Sequence, residues 1–357
     1  MAEDQFAEQI IPGTFIRVQA EALISAGGIS AGNIGIVGTA STGIGEVHNI
    51  SDWESAKEKF GMYDANTAST LNLTRSIEQL LRNGARTVIA KGIATGSNKG
   101  DFSAAFADIL KENVNILVSP EQTTSDAIEV LGALVNTAEG EGKDMIAVIG
   151  SDGADAAAIA GHAAAAADKR VIVTGPAIEA FDNAAGVDVT LAGGYTAAAL
   201  AGLISSLAVQ SSPTNKKLFG VSKIAQKFSY GDQKTLVQGN VCALEERRGI
   251  RVVRGLTTEG AAFSQITTRR ITDYAKAGVR QVANPFIGKL NNQRVRKAMQ
   301  GAIDGFLATM LQDESLTNYS LEVTATRQDE IAGRAIVNIS LQPTFSIDYI
   351  RVTMALS

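Results

Sequence analysis

Four groups of residues in this chain could carry chemistry. Gly150-Ser151-Asp152-Gly153 closes an apolar run, and His162 follows on an alanine-rich stretch. A hydroxyl, an imidazole and a carboxylate are the materials of acyl transfer, in which a base activates the serine and an acid orients the base. Ile149 stands where a G-x-S-x-G elbow needs glycine, so any such triad has to assemble across the fold. A soluble α/β enzyme with its site near Ser151 and Asp152 is therefore the alternative reading of the chain. Gly38-Thr39-Ala40-Ser41-Thr42-Gly43-Ile44-Gly45 has the glycine spacing of a phosphate-binding loop. Ile44 replaces the lysine that would neutralise the phosphates and Gly45 replaces the Ser or Thr, so the segment reads as a strand-to-helix connection. Asp144, Asp152 and Asp155 fit no cation loop and read as a solvated rim. The cluster Lys289, Arg294, Arg296 and Lys297 borders a helical stripe and is the best candidate for a docking surface.

The elements that would position these groups are legible from periodicity. Ile34 to Ala40 is a compact apolar run, as for a buried strand. Asp52 to Phe60 reads as a helix capped by Ser51 or Asp52, and Leu71 to Leu81 as a second one. From residue 101 a helix-then-strand rhythm sets in: 102–111 then 114–118, 125–139 then 145–150, 154–167 then 170–173. That alternation predicts a parallel sheet covered by helices. An apolar helix over 197–208 follows the glycines at 193 and 194. After Ser211-Ser212-Pro213-Thr214-Asn215 the chain becomes basic and helical, with helices over 261–277 and 291–310, the second capped by Asn291 or Asn292. A hairpin of 319–327 against 333–341 comes next.

Composition narrows the function classes. At 357 residues, with 45% hydrophobic and 19% charged residues, the chain is long enough for two domains and a large core. One cysteine, Cys242, leaves no internal disulfide and no cysteine-rich zinc site, and two histidines leave little for acid–base or metal chemistry. No catalytic residue, metal or cofactor is expected. The start of the chain is acidic where a secretory signal is basic, and no apolar run reaches the eighteen or so residues that span a bilayer, so folding in the cytoplasm without membrane insertion is expected. Charge is uneven: residues 1–238 hold 17 Lys+Arg and 26 Asp+Glu, whereas 239–357 hold 15 and 11. A small positive excess without aromatic interleaving argues against direct nucleic-acid binding and fits an acidic protein partner.

The two ends of the chain are β-prone. Near the start, Thr14, Phe15, Ile16, Arg17 and Val18 follow Pro12-Gly13. At the end, Phe345, Ile347 and Tyr349 share one phase of an extended run, then Ile350, Val352, Met354 and Leu356 share the other. A strand this late either completes its own sheet or pairs with another chain.

The order of motifs resembles that of the sheath proteins of contractile phage tails and related contractile injection systems. The resemblance covers most of the chain and is densest from Gly239 to Leu356. It rests on Pro12-Gly13-Thr14-Phe15-Ile16, on Val37-Gly38-Thr39-Ala40, and on Trp53 to Phe60-Gly61. Asn83-Gly84-Ala85, Ser212-Pro213-Thr214-Asn215, Arg248 to Val252, Thr257-Thr258 and Arg269 to Tyr274 complete it. It implies an α/β protein with an N-terminal arm (1–20), an outer α/β domain with a mainly parallel sheet (21–238), an inner, tube-facing α+β domain (239–342) and a C-terminal arm (343–357). It also implies that the arms pair with the inner sheets of neighbours, and that Lys289, Arg294, Arg296 and Lys297 face a tube. The chain would be a non-enzymatic subunit polymerising with itself, with an inner tube protein, baseplate and terminator proteins as partners.

Overall fold

The computed structural model describes residues 29–64 and 71–355. The first half builds one sheet. Its strands are β1 (Ile34–Thr39), β2 (Val47–Ile50), β3 (Val88–Ile93), β4 (Ile116–Val118), β5 (Ile146–Gly150) and β6 (Val171–Gly175), interleaved with helices α1 (Trp53–Phe60), α2 (Leu73–Arg82), α3 (Lys99–Ile109), α4 (Thr124–Gly140) and α5 (Ala156–Ala166). There follow a hairpin β7 (Ile178–Asp182) and β8 (Val187–Leu191), α6 (Gly193–Ser206), β9 (Lys223–Ile224), α7 (Tyr230–Gln238), β10 (Cys242–Glu246) and β11 (Ile250–Val252). The sheet has eight strands in the order β11-β10-β6-β5-β4-β1-β3-β2. β10, β6, β5, β4, β1 and β3 are parallel, and the edge strands β2 and β11 run antiparallel. The sheet thus continues to Val252, past residue 238, where the sequence reading changes domain. A three-stranded sheet, β8-β7-β9, sits beside it.

The strands read as apolar runs because both faces are covered. Ile34, Ile36, Ile146 and Val148 join the cluster under α1, α2 and α6, while Val37, Ala147 and Ile149 join the one under α3, α4, α5 and α7. Neighbours on a strand point to opposite faces, so each run feeds two cores.

The second half is smaller: α8 (Ile266–Ala283), a 3-10 turn Asn284–Phe286, α9 (Gln293–Gln312), β12 (Leu316–Thr324), the short α10 (Arg327–Ile331) and β13 (Ile336–Pro343). α8 starts later than the 261 read from the sequence, because Ser264 closes a turn on Ala261 and Gln265 turns its side chain to the C-terminal segment. α9 is capped by Asn292, whose carbonyl accepts Val295 N–H at 3.0 Å. α8 and α9 meet where Gly278 has no side chain, and a Cβ there would overlap the Phe306 ring. β12 and β13 pair antiparallel over Leu316–Pro343 and form a two-stranded sheet. Tyr319, Leu321, Val323, Val337, Ile339 and Leu341 rest on the α8–α9 cluster.

Charged groups nail the two halves together. Arg170 is fully buried and meets Glu139 at 2.7 Å, Asp144 at 2.8 Å and Asp273 of α8 at 3.0 Å. Lys276 and Arg280 of α8 also bind Asp144. Beside them Arg270 donates to the carbonyls of Leu207 (3.0 Å), Ala208 (3.2 Å) and Ala31 (3.2 Å), which closes the C-terminal end of α6. Burial without a carboxylate partner pulls Arg270 down to about 10, so it stays charged at neutral pH.

The Arg170 cluster has a consequence for acid stability. The hydrogen bond from Arg170 holds Glu139 well below the usual carboxylate range. Asp144 is also held low: burial pushes it up, but Lys276 and Arg280 outweigh that. Asp273 is raised by burial and acts in the opposite sense. A depressed carboxylate contributes stability above its unfolded value of 4.5 for Glu, lost as pH falls toward the folded value. With two depressed groups against one raised, the thermal midpoint should fall from pH 5 to about 3, and Glu139→Gln should flatten that limb. Thermal melts across that range check it, and an unchanged slope in the variant would refute the assignment. Arg170→Ala, which strands buried carboxylates, should cost about 3–5 kcal/mol in denaturant unfolding.

Candidate assembly interface

The fold brings Ser151, His162 and Asp152 together but buries the serine, while Asp152 stays exposed. Ser151 Oγ lies 2.8 Å from His162 Nδ1, and His162 Nε2 lies 3.6 Å from Asp152 Oδ1. Ser151 is buried, and its Oγ already accepts the Gly153 N–H at 3.1 Å. Asp152 is held by Thr124, whose Oγ1 accepts Asp152 N–H at 2.8 Å and sits 2.8 Å from Asp152 Oδ1. The space a substrate would need is filled by the start of α6: a Cβ on Gly193 would overlap the Ser151 carbonyl, and one on Gly194 the Pro120 carbonyl. The trio ties β5 to α4 and α5.

The phosphate-like loop is likewise occupied by the chain itself. β1 and β4 flank the point where the strand order reverses, the place where open α/β sheets bind ligands. There Glu121 receives Thr39 N–H at 2.6 Å on one oxygen and Thr39 Oγ1 at 2.8 Å on the other. Burial raises this carboxyl despite those bonds. The Ser41 and Thr42 N–H groups donate to Phe60 O at 3.2 and 3.4 Å, so no ring of free donors remains to cradle an anion. Asp144 is bound by the cations of α8 and Arg170, and Asp155 caps α5 through Ala158 N–H at 2.8 Å. No group of three or more His, Cys, Asp or Glu suited to a metal ion occurs among the described residues. Burial pushes the Cys242 thiol up to about 12, which leaves it inert.

What is open lies at the other end of the chain. Thr14 to Val18 and Leu356 lie outside the described residues. Residues 344–355 form no strand within the subunit, so the reading in which they complete their own sheet does not hold for the described residues. A strand needs a hydrogen-bonding neighbour, and the described residues supply none here. Phe345, Ile347, Tyr349, Ile350, Val352 and Met354 are 64–84% exposed, the degree expected of side chains awaiting a cover.

The root of this arm is held, and sequence reasoning missed how. Asp348 Oδ2 accepts from Arg254 Nε at 2.7 Å and Gln265 Nε2 at 3.0 Å, and Ser346 N–H donates to Gln265 Oε1 at 3.0 Å. Arg254 also lies over the Tyr349 ring at 5.5 Å. The hold ends at Tyr349, where the apolar phase of the sequence switches. Beyond it Ile350, Val352 and Met354 alternate with Arg351, Thr353 and Ala355, the pattern of a strand with one buried face. The lone acid inside an apolar run was the available signal.

The hairpin β12–β13 also has open edges. Neither strand has a second partner, so both outer edges are unpaired among the described residues. A groove of 570 Å³ runs beside β13, lined by Phe286, Ile287, Leu290, Val295, Met299, Ala335 and Val337 among others. Of the predicted basic cluster, Lys289, Arg294 and Lys297 are exposed and in no ion pair among the described residues. Arg296 differs: it is bound to Glu330 at 3.1 Å and Asn291 at 2.8 Å, and joins α9 to α10. The first turn of α9 holds no acid, although the helix dipole favours one there. Its cations are unfavourable for the isolated helix and suited to an external acidic face.

The sequence profile of the phage tail sheath protein central domain matches residues 95–258, and that of the phage tail sheath C-terminal domain matches residues 258–357. No curated protein sequence matches the chain. Among solved structures, a chain of the anti-feeding prophage baseplate is similar at 18% identity and a TM-score of 0.78, covering 97% of this chain and 99% of that one. The anti-feeding prophage helical sheath in its contracted state is similar at 19% identity and a TM-score of 0.75, with the same coverage of 97% and 99%. A sheath tail protein from Listeria innocua gives 12% identity and a TM-score of 0.71 over 92% of this chain and 95% of that one.

Because the Ser151 hydroxyl is enclosed, a fluorophosphonate probe should leave the chain unlabelled under conditions that label an ordinary serine hydrolase. Labelling that disappears in Ser151→Ala would reinstate the enzyme reading.

Proposed function

The chain belongs to the phage tail sheath protein family, and we propose that it is the repeating subunit of a contractile sheath, linked to its neighbours by exchanged strands. The observation that carries the strand exchange is the pairing of supply and demand within one subunit. A two-stranded sheet with open edges is marginal by itself, and the arm beyond Tyr349 has the pattern of a one-faced strand but pairs with none of the described residues. Exchange between identical copies satisfies both, and heterologous exchange of this kind propagates as a helix rather than closing a dimer. Burying Ile350, Val352 and Met354 in a neighbour's groove would contribute about 2 kcal/mol each before ordering costs.

Strand exchange also suits a contractile polymer. Backbone hydrogen bonds in the arm can persist while the bodies rotate rigidly, with the backbone just after Tyr349, where the hold on Asp348 ends, as the hinge. An extra ~200 Å² of apolar burial per subunit on contraction would supply roughly 5 kcal/mol, summed along the sheath, with no nucleotide needed. The subunit acts through contacts rather than catalysis. Lys289, Arg294 and Lys297, on the first turn of α9 and the loop before it, are suited to the acidic face of an inner tube protein, with Arg296 holding that region together. A baseplate and a terminator would meet the two ends of the sheath. No helix among the described residues is long and apolar enough to cross a membrane, and assembly in the bacterial cytoplasm is part of the proposal.

Negative-stain electron microscopy tests the proposal. The full chain should form hollow helical tubes above a threshold concentration. A chain ending at Tyr349 should stay folded, with its thermal midpoint within about 1 °C because residues 350–355 are exposed and make no hydrogen bond or ion pair among the described residues, yet form no tubes. A monodisperse full-length monomer or dimer at every concentration, or tubes from the shortened chain, would refute it.

A further inference from the structure

We propose that a cationic pocket at the β10–β11 turn receives carboxylate side chains of a second copy of this chain, forming a contact separate from the exchanged strand. The pocket has a volume of 520 Å³ and is lined by Asn215, Arg247, Arg248 and Arg251. Its guanidinium groups are held mostly by neutral acceptors. Arg251 donates to Asn215 O at 2.6 Å and Arg247 O at 3.1 Å, and Arg247 donates to Asn215 Oδ1 at 3.0 Å. The one carboxylate in an ion pair with them is Glu245, 2.9 Å from Arg247. Arg248, Lys216 and Lys217 have no ion-pair partner among the described residues and are exposed. The charge is therefore positioned but not neutralised, which is the condition for a preorganised electrostatic contact.

The turn itself is stiff. Arg248 has φ 54° and Gly249 φ 102°, so it is a tight left-handed turn, and the stem of Lys217 lies across Gly249. Nothing in the subunit's own fold requires this much unpaired cation at one corner.

The choice of a second copy rests on the strand exchange proposed above and on two observations. Arg254 and Thr214, which adjoin the pocket in sequence, touch Asp348 at 2.7 and 3.5 Å, alongside Gln265 at 3.0 Å, so the arm leaves the body beside the pocket. Residues 350–355 extended reach only about 20 Å, so the copy receiving the arm must lie that close. Charge is unevenly divided along the chain: residues 1–200 hold 25 Asp+Glu against 12 Lys+Arg, while 201–254 hold 3 against 9. Each copy thus carries an acidic body and a basic strip.

The test neutralises the pocket without straining the turn. Asn tolerates the left-handed conformation, so the full chain with Lys217→Gln and Arg248→Asn should keep its thermal midpoint. Light scattering and electron microscopy then give the threshold concentration for tubes at 50 and 500 mM NaCl. The expected result is a threshold about fivefold higher than wild type at low salt, from two lost ion pairs, converging at high salt. Equal thresholds at both salts would overturn the proposal. Should the pair unfold, Lys216→Gln with Lys217→Gln is the substitute and carries the same expectation. Ile350→Asp with Val352→Asp, in the same assay, separates the two ideas. If that variant assembles normally, the strand-exchange reading fails and takes this inference with it. If it is blocked while the pocket variant is normal, only the pocket fails. A wild-type chain that never assembles overturns both. Binding of a single-stranded oligonucleotide that is lost in the pocket variant, with assembly unchanged, would make the pocket a polyanion site and overturn the assignment.

Discussion

Arg170 is the residue on which the arrangement of the two halves depends. Its side chain is fully buried and joins Glu139 of α4, Asp144 before β5 and Asp273 of α8. A buried cation cannot be left unpaired without a cost of several kcal/mol, so α8 is held in one place against the α/β body. With Arg270 closing the end of α6 nearby, α8 becomes a fixed strut. α9 packs on α8, and the hairpin packs on α9, so the direction in which the open edges face follows from that ionic junction. A polymer that must transmit a rotation needs its docking edges on a rigid body, and charged pairs fixed in low dielectric resist sliding more than apolar contacts do.

The same sheet closes the two places where its residues could have formed a ligand site, at Ser151 and at Thr39. An open α/β sheet makes a crevice at the carboxyl ends of its strands, and here the chain fills that crevice with its own parts. Glu121 sits on Thr39 where an anion would bind, and the glycines that open α6 let the helix press on β4 and β5. What reads in sequence as the raw material of a hydrolase becomes hydrogen bonding that ties helices to strands. The exposed apolar surface is instead moved to the arm and the β13 groove. Surface left uncovered at the edge of a fold marks where another chain belongs.

Much of this was legible in the residues. Buried strands such as Ile34 to Thr39 and Ile146 to Gly150 follow from apolar runs between helical stripes, because a strand covered on both faces has no polar phase. The α9 stripe and its Asn292 cap follow from period and capping chemistry. Several of the segments missed lie between Pro176 and Val252, and β2 is another. β7, β8 and β9 are short, and short strands are stabilised by partners distant in sequence rather than by their own pattern, whereas β11 falls within the Arg248 to Val252 segment on which the resemblance rests. α10, inside what reads as a plain hairpin, is set by the capping box of Thr326 and Asp329.

The sequence by itself determined the class of fold, the helix–strand rhythm and the supply of apolar strand at the C-terminus, since these depend on local period and composition. Only the tertiary structure decided which polar residues are spent inside the subunit and which remain for a partner. Ser151 and Arg296 carry the same chemistry whether buried or exposed, and the difference comes from Gly153, His162 and Glu330. Likewise the arm begins to leave at Tyr349 because Arg254 and Gln265 reach Asp348 across more than eighty residues of chain. Such contacts are set by how the elements pack, and no local pattern encodes them.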